Sequence, residues 1–124
     1  SYTSIQWAPW KKEGGNIYPF LIRKSDRKNI RVWLTDGHND LENEHGSWPL
    51  QNIAMANSLK RKEYDFHFVF GNAQHNGQHV NSQMPEALAW VWRGYDASKT
   101  SETFVMDSAE TDRPFWRVKA LNRE

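Results

Sequence analysis

Two short segments of this chain gather side chains that can hold, share or pass a proton. Asp36-Gly37-His38-Asn39-Asp40-Leu41-Glu42-Asn43 brings carboxylates, and Gly71-Asn72-Ala73-Gln74-His75-Asn76-Gly77-Gln78-His79 brings imidazoles. A carboxylate hydrogen-bonded to a histidine orients the ring and stabilises the imidazolium formed when the other ring nitrogen takes a proton. That chemistry needs the two segments at one rim. A metal site is a second use of the same residues, with His75 and His79 joined by Asp36, His38 or Asp40. Spacing of four suits one helical face, but Gly77 between the histidines argues against a helix there. Leu41 also stands where a calcium loop needs glycine. The metal reading ranks last, and neither metal nor cofactor is expected.

The elements that must position the two segments are legible in the apolar pattern. Ile30-Arg31-Val32-Trp33-Leu34-Thr35 reads as a buried strand closed by the turn dipeptide Asp36-Gly37. Ser47 is the expected N-cap of a helix with Pro49 in its first turn. Trp48, Met55 and Leu59 would share its apolar face beside Ile53 and Ala56, with Lys60, Arg61 and Lys62 at its end, where cations suit the dipole. Phe66-His67-Phe68-Val69-Phe70 is a second strand stopped by Gly71-Asn72. Pro85 is expected to open a second helix with a Leu88, Val91 and Trp92 stripe, ended at Gly94. Strand, helix, strand, helix at these lengths is a parallel βαβα unit with a right-handed crossover. Ligands of such sheets sit beyond the carboxyl ends of the strands, where both polar segments fall.

The flanks are less regular. Residues 1–29 read as loop, punctuated by Pro9, Gly14, Gly15, Asn16 and Pro19, with a polar collar of Arg23, Lys24, Ser25, Asp26 and Lys28. Phe104-Val105-Met106 and the run from Phe115 to Leu121 are expected as two edge strands. No internal repeat or low-complexity tract is visible. At 124 residues the chain is one domain's length, and its 38% hydrophobic and 25% charged residues describe a globular class. A net charge of +1 excludes nucleic-acid binding driven by a strong basic field. No apolar run approaches the roughly 20 residues of a membrane span. With no cysteine there is no disulfide, thiol nucleophile or zinc-thiolate site, and the compartment stays open. The chain opens on Ser1 rather than Met with no signal peptide in view, so a start that was cut or trimmed is expected.

The stretch from Arg31 to Gly94 resembles the C-terminal part of the enterochelin-esterase-like and esterase-D-like family of α/β-hydrolases. The resemblance is carried by Val32-Trp33-Leu34-Thr35-Asp36-Gly37-His38-Asn39-Asp40-Leu41, Gly46-Ser47-Trp48-Pro49-Leu50 and Tyr64-Asp65-Phe66-His67-Phe68-Val69-Phe70-Gly71. It continues through His75-Asn76-Gly77-Gln78-His79 and Pro85-Glu86-Ala87-Leu88-Ala89-Trp90-Val91-Trp92-Arg93. Ser1-Tyr2-Thr3-Ser4 looks like the stretch after the strand that follows the nucleophile helix in such enzymes. The similarity covers most of residues 1–95, and 96–124 have no family counterpart. It implies an α/β fold in which 1–95 are a partial hydrolase domain and 96–124 an extension. It also implies Asp40 as triad acid, His75 as triad histidine and an ester as substrate. The family pattern departs at the nucleophile, because no Gly-x-Ser-x-Gly occurs in the chain.

Each of these residues also has a plainer use. On spacing alone Asp40 is a turn-capping residue and His75 a loop hydrogen-bonder, and the resemblance moves both to the triad. Asp36 reads as structural, bonding the backbone of its turn. His38 and His79 are rim residues within reach of a substrate, His67 is half-buried or at the surface, and His45 has no distinguishing context. Trp33, Trp48 and Trp92 fall on apolar faces and are expected in the core. Trp7 and Trp10, in Gln6-Trp7-Ala8-Pro9-Trp10, are freer to touch a ligand. Two functions follow: the C-terminal part of a serine-type carboxylic ester hydrolase, or a non-catalytic half-hydrolase module for binding or assembly. In both, a parallel sheet edge is left to pair with a second copy or with the family's N-terminal half.

Overall fold

The computed structural model describes residues 17–44 and 46–112. Its elements run α1 (Tyr18–Lys24), β1 (Arg31–Asn39), β2 (Glu42–Asn43), β3 (Gly46–Ser47), α2 (Trp48–Arg61), β4 (Asp65–Gln74) and α3 (Gly77–Val91), then a 3-10 turn at Ser108–Glu110. β1 and β4 pair in parallel from Arg31 opposite Asp65 to Gly37 opposite Gly71. The α/β class and the parallel pair are as the sequence implies.

Strand geometry sends alternate side chains to opposite faces. On one face Leu34 and Phe68 are buried against Met55, Ala56 and Leu59 of α2, with Tyr64 beside them. Val32, Phe66, Phe70, Ile53 and Ile22 of α1 close around this cluster. A fully buried Leu or Phe contributes about 2 kcal/mol each, so this face is the main source of stability. α2 begins where expected: the Ser47 hydroxyl accepts from the Leu50 amide, and Lys60 and Arg61 occupy its last turn.

The opposite face is aromatic and polar. Trp33 stacks on His67 at 4.5 Å, and Trp90 of α3 meets Trp33 at 5.9 Å and His67 at 5.8 Å. His67 is therefore buried, 6% exposed, where the pattern implied a wet or half-wet position. Asp65 accepts from Arg31 Nε at 3.0 Å and from Arg93 Nη2 at 2.6 Å. Arg31 also donates to the Val91 and Arg93 carbonyls, and Arg93 lies over the Trp90 ring.

These contacts correct the reading of α3. The helix starts at Gly77, not Pro85, because Asn76 caps it by accepting from the Gln78 amide at 3.0 Å. An Asx side chain at the start satisfies an orphan donor, while Pro85 sits inside and merely forgoes one bond. With Trp90 and the arginines fixing the helix to the sheet, the supposed stripe turns outward. Trp92 is 61% exposed and Leu88 52%. Gly94 adopts φ +72°, a left-handed conformation that glycine takes without cost, just beyond the helix end.

Three further expectations differ. Residues 18–24 are helix rather than loop, since Pro19 in the first turn is a start signal and the short α1 is held by packing on α2. Arg23 of α1 bonds Asn57 and Ser58 of α2. Asp36-Gly37 and Gly71-Asn72 do not end their strands, which continue to Asn39 and Gln74. Phe104-Val105-Met106 is not a strand; it belongs to a segment that crosses the amino ends of β1 and β4. Asn29 clasps that segment, donating to the Glu102 carbonyl and accepting from the Phe104 amide, and the Met106 amide donates to Glu63. The run from Phe115 to Leu121 lies outside the described residues, as does His45.

Candidate functional site

The rim at the carboxyl ends of β1 and β4 is shaped by one irregularity in their pairing. From Arg31 to Gly37 each residue of β1 faces a partner 34 positions on; beyond a bulge, Asn39 faces Gln74, 35 positions on. β4 thus carries one extra residue, as a β-bulge does where a strand must re-aim its side chains. Just beyond that last pair come Asp40 and His75, which meet through their side chains. Gly37 permits this approach, because a Cβ there would collide with the Ala73 backbone. The two residues of the rim pair are brought together by a strand irregularity that no turn dipeptide announces.

Asp40 and His75 are in direct contact. His75 Nδ1 lies 2.7 Å from Asp40 Oδ1, which also accepts from the Leu41 amide at 2.6 Å. An ionised carboxylate only accepts, so Nδ1 carries the hydrogen of this bond, and in the neutral ring Nε2 keeps its lone pair. The His75 side chain is 43% exposed and that of Asp40 14%, so the ring stands further into the solvent than its anchor. The Trp48 and His75 rings meet edge to face with their centres 6.3 Å apart. Burial pushes Asp40 upward, but the neighbouring Asp36 carboxyl and hydrogen bonds from the Leu41 amide and His75, with the His75 charge, outweigh it and hold its pKa below the usual carboxylate value.

Beneath this pair lies Asp36, 3% exposed. It accepts from the Gly37 amide at 2.7 Å and from Asn52 Nδ2 of α2 at 2.5 Å. Burial first, and then the neighbouring Asp40 carboxyl, raise its pKa to about 7 against the opposing pull of Gly37 and Asn52. Its bond to Gly37 matches the structural use expected of it, but its link to Asn52 was missed. A signal existed: Asn52 is a lone amide in the Trp48, Met55, Ala56, Leu59 face of α2.

A cleft of about 400 Å³ opens over the pair, lined by Asp36, Asp40, His75, Gly77, His79 and Val80 among others. His79 stands in the first turn of α3. Its Nε2 is 2.9 Å from Gln83 Nε2, and Gln83 Oε1 takes the Thr35 hydroxyl at 3.1 Å. An amide nitrogen only donates, so His79 Nε2 accepts and its hydrogen sits on Nδ1. Burial lowers its pKa, which favours the neutral ring. His38 lies on β1 with Nδ1 3.1 Å from the Gly71 carbonyl and is not among the residues lining the cleft. Trp7 and Trp10 lie outside the described residues.

Among the described residues no three His, Asp or Glu side chains converge to hold a metal ion, and no helix is long and apolar enough to cross a membrane. No protein-family model, curated protein or solved structure matches this chain.

Proposed function

We propose that this chain is the C-terminal portion of a serine-type carboxylic ester hydrolase. Asp40 and His75 are its acid and base, and the nucleophilic serine is supplied from outside these residues. The observation that carries the reading is the 2.7 Å contact between His75 Nδ1 and Asp40 Oδ1 at the mouth of a cleft. Nε2 accepts the proton of a serine hydroxyl as its oxygen bonds the ester carbonyl carbon. The imidazolium, stabilised by Asp40, then returns that proton to the departing alcohol oxygen. Water repeats both transfers on the acyl-enzyme, releasing the acid. His79 and His38, with Trp7 and Trp10, are the proposed substrate contacts. The two-stranded sheet, unpaired along its outer edges among the described residues, would be completed by a second copy or by the upstream half.

Cleavage of p-nitrophenyl butyrate by the purified chain tests this. Without a serine partner, His75 Nε2 acts on the ester or on water directly. The chain is expected to exceed an equal concentration of 4-methylimidazole, to fall to the buffer rate as His75→Ala, and to lose about tenfold or more as Asp40→Asn. Reactivity no greater than free imidazole, or surviving His75→Ala, overturns the reading in favour of a non-catalytic module. The absence of Gly-x-Ser-x-Gly favours that alternative. A fluorophosphonate label on a serine of this chain would overturn the placement of the nucleophile outside it.

A further inference from the structure

Trp48 is buried, 6% exposed, yet among the described residues it stands outside the cluster formed by Leu34, Met55, Ala56, Leu59, Tyr64 and Phe68. Its contacts lead to the rim instead. The antiparallel hairpin of β2 and β3 pairs Glu42 with Ser47 and Asn43 with Gly46, which folds Trp48 back beside Leu41. The Trp48 amide donates to the Leu41 carbonyl at 3.0 Å, and the Leu41 amide donates to Asp40 Oδ1 at 2.6 Å. The Trp48 ring meets the His75 ring edge to face, with the two planes at 78°. One residue thus reaches the acid through the backbone of Leu41 and the base through its indole.

We propose that Trp48 is a positioning residue, whose indole holds the His75 ring so that Nδ1 stays on Asp40. A single hydrogen bond fixes one atom of an imidazole and leaves the ring free to pivot about it. The His75 side chain is 43% exposed, so close packing does not restrain it all round. An aromatic wall on a second side removes that freedom, because a swing of the ring forfeits the edge-to-face contact. Such a contact favours the paired arrangement about three- to tenfold beyond the area it buries, so without it the ring should leave Asp40 that much more often. The use of this restraint in catalysis rests on the hydrolase reading, while the restraint itself rests only on the contacts of Trp48, Leu41, Asp40 and His75.

The test is NMR of the full chain with nitrogen-15 in its histidine rings, comparing the wild type with Trp48→Phe and Trp48→Leu. Both variants keep the backbone amide that bonds Leu41, so only the ring differs. The wild type is expected to show nuclear Overhauser contacts between the Trp48 and His75 rings and a His75 Nδ1 proton slow to exchange. Trp48→Leu should speed that exchange about three- to tenfold, while the backbone amides of Leu34 and Phe68 in the core keep their protection. Trp48→Phe should restore most of the protection at Nδ1. Wild-type rings without contact, a Leu variant that exchanges no faster, or a Phe variant as damaging as the Leu variant overturns the inference. So does a Leu variant whose core amides speed up in step with Nδ1, since that is a loss of stability alone. Should Trp48→Leu fail to fold, the wild-type ring contacts and the Phe variant still decide it. His75-dependent cleavage of p-nitrophenyl butyrate should fall in Trp48→Leu by the same factor as the protection. Cleavage that Trp48→Leu leaves unchanged overturns this inference alone. Lost Nδ1 protection in a chain that cleaves no ester upholds this inference and overturns the hydrolase reading alone.

Discussion

Replacing Asp36 by asparagine should make the protein more stable than the wild type at neutral pH, and the gain should grow with pH in a defined window. A carboxyl with pKa 3.8 when unfolded and about 7 when folded favours the protonated fold. Below 3.8 both states are protonated and its contribution is complete. As pH rises from 3.8 to about 7 the unfolded chain sheds the proton first, and stability falls. The slope is at most about 1.4 kcal/mol per pH unit, and the whole loss about 4 kcal/mol. Asp40, with its lowered pKa, has the opposite sign but acts below 3.8, where stability is lost as pH falls. His79, also lowered, adds stability as pH rises through 6.5, and it does so equally in both proteins. The difference between Asp36→Asn and wild type therefore isolates Asp36. Urea unfolding followed by tryptophan fluorescence at several pH values measures it. A difference that stays flat across this window refutes the buried, protonated carboxyl.

Two other outcomes are expected. Asn76→Ala removes the cap of α3 and should cost about 1 kcal/mol, with faster amide exchange at Gln78 and a looser His75 beside it. The unpaired sheet edges should make the chain associate, so sedimentation velocity at micromolar concentration should show species larger than a monomer; a single monomeric boundary contradicts this.

The βαβα frame was legible because its signals are local. Ser47 with Pro49 announces α2, and the Phe66, Phe68, Phe70 alternation announces β4. The pairing of Asp40 with His75 was reached through resemblance and not through spacing, since it depends on a bulge between Gly37 and Asn39. Gly37 misled for a physical reason: glycine marks turns and close backbone approaches alike, and only a neighbour distant in sequence, Ala73, distinguishes them. Trp92 misled because helical periodicity gives a face but not its direction. That direction is set by Trp90 against Trp33 and His67, and by Arg31 and Arg93 on Asp65. Asp36 looked like a turn residue because its partner Asn52 lies 16 positions away on a helix whose inward residues are otherwise mostly apolar.

The extra residue in β4 works as a vernier between two scales. Below Gly37 the strands keep one phase and build the interior; above it they keep another and build the rim. Deleting Ala73 would remove the extra residue and let the ladder run on in a single phase with Gln74 still opposite Asn39 but without the bulge that re-aims the rim, while Leu34 opposite Phe68 stays untouched. The proton pair and the core are thus specified by separate stretches of the same ladder, and one can be retuned without dismantling the other.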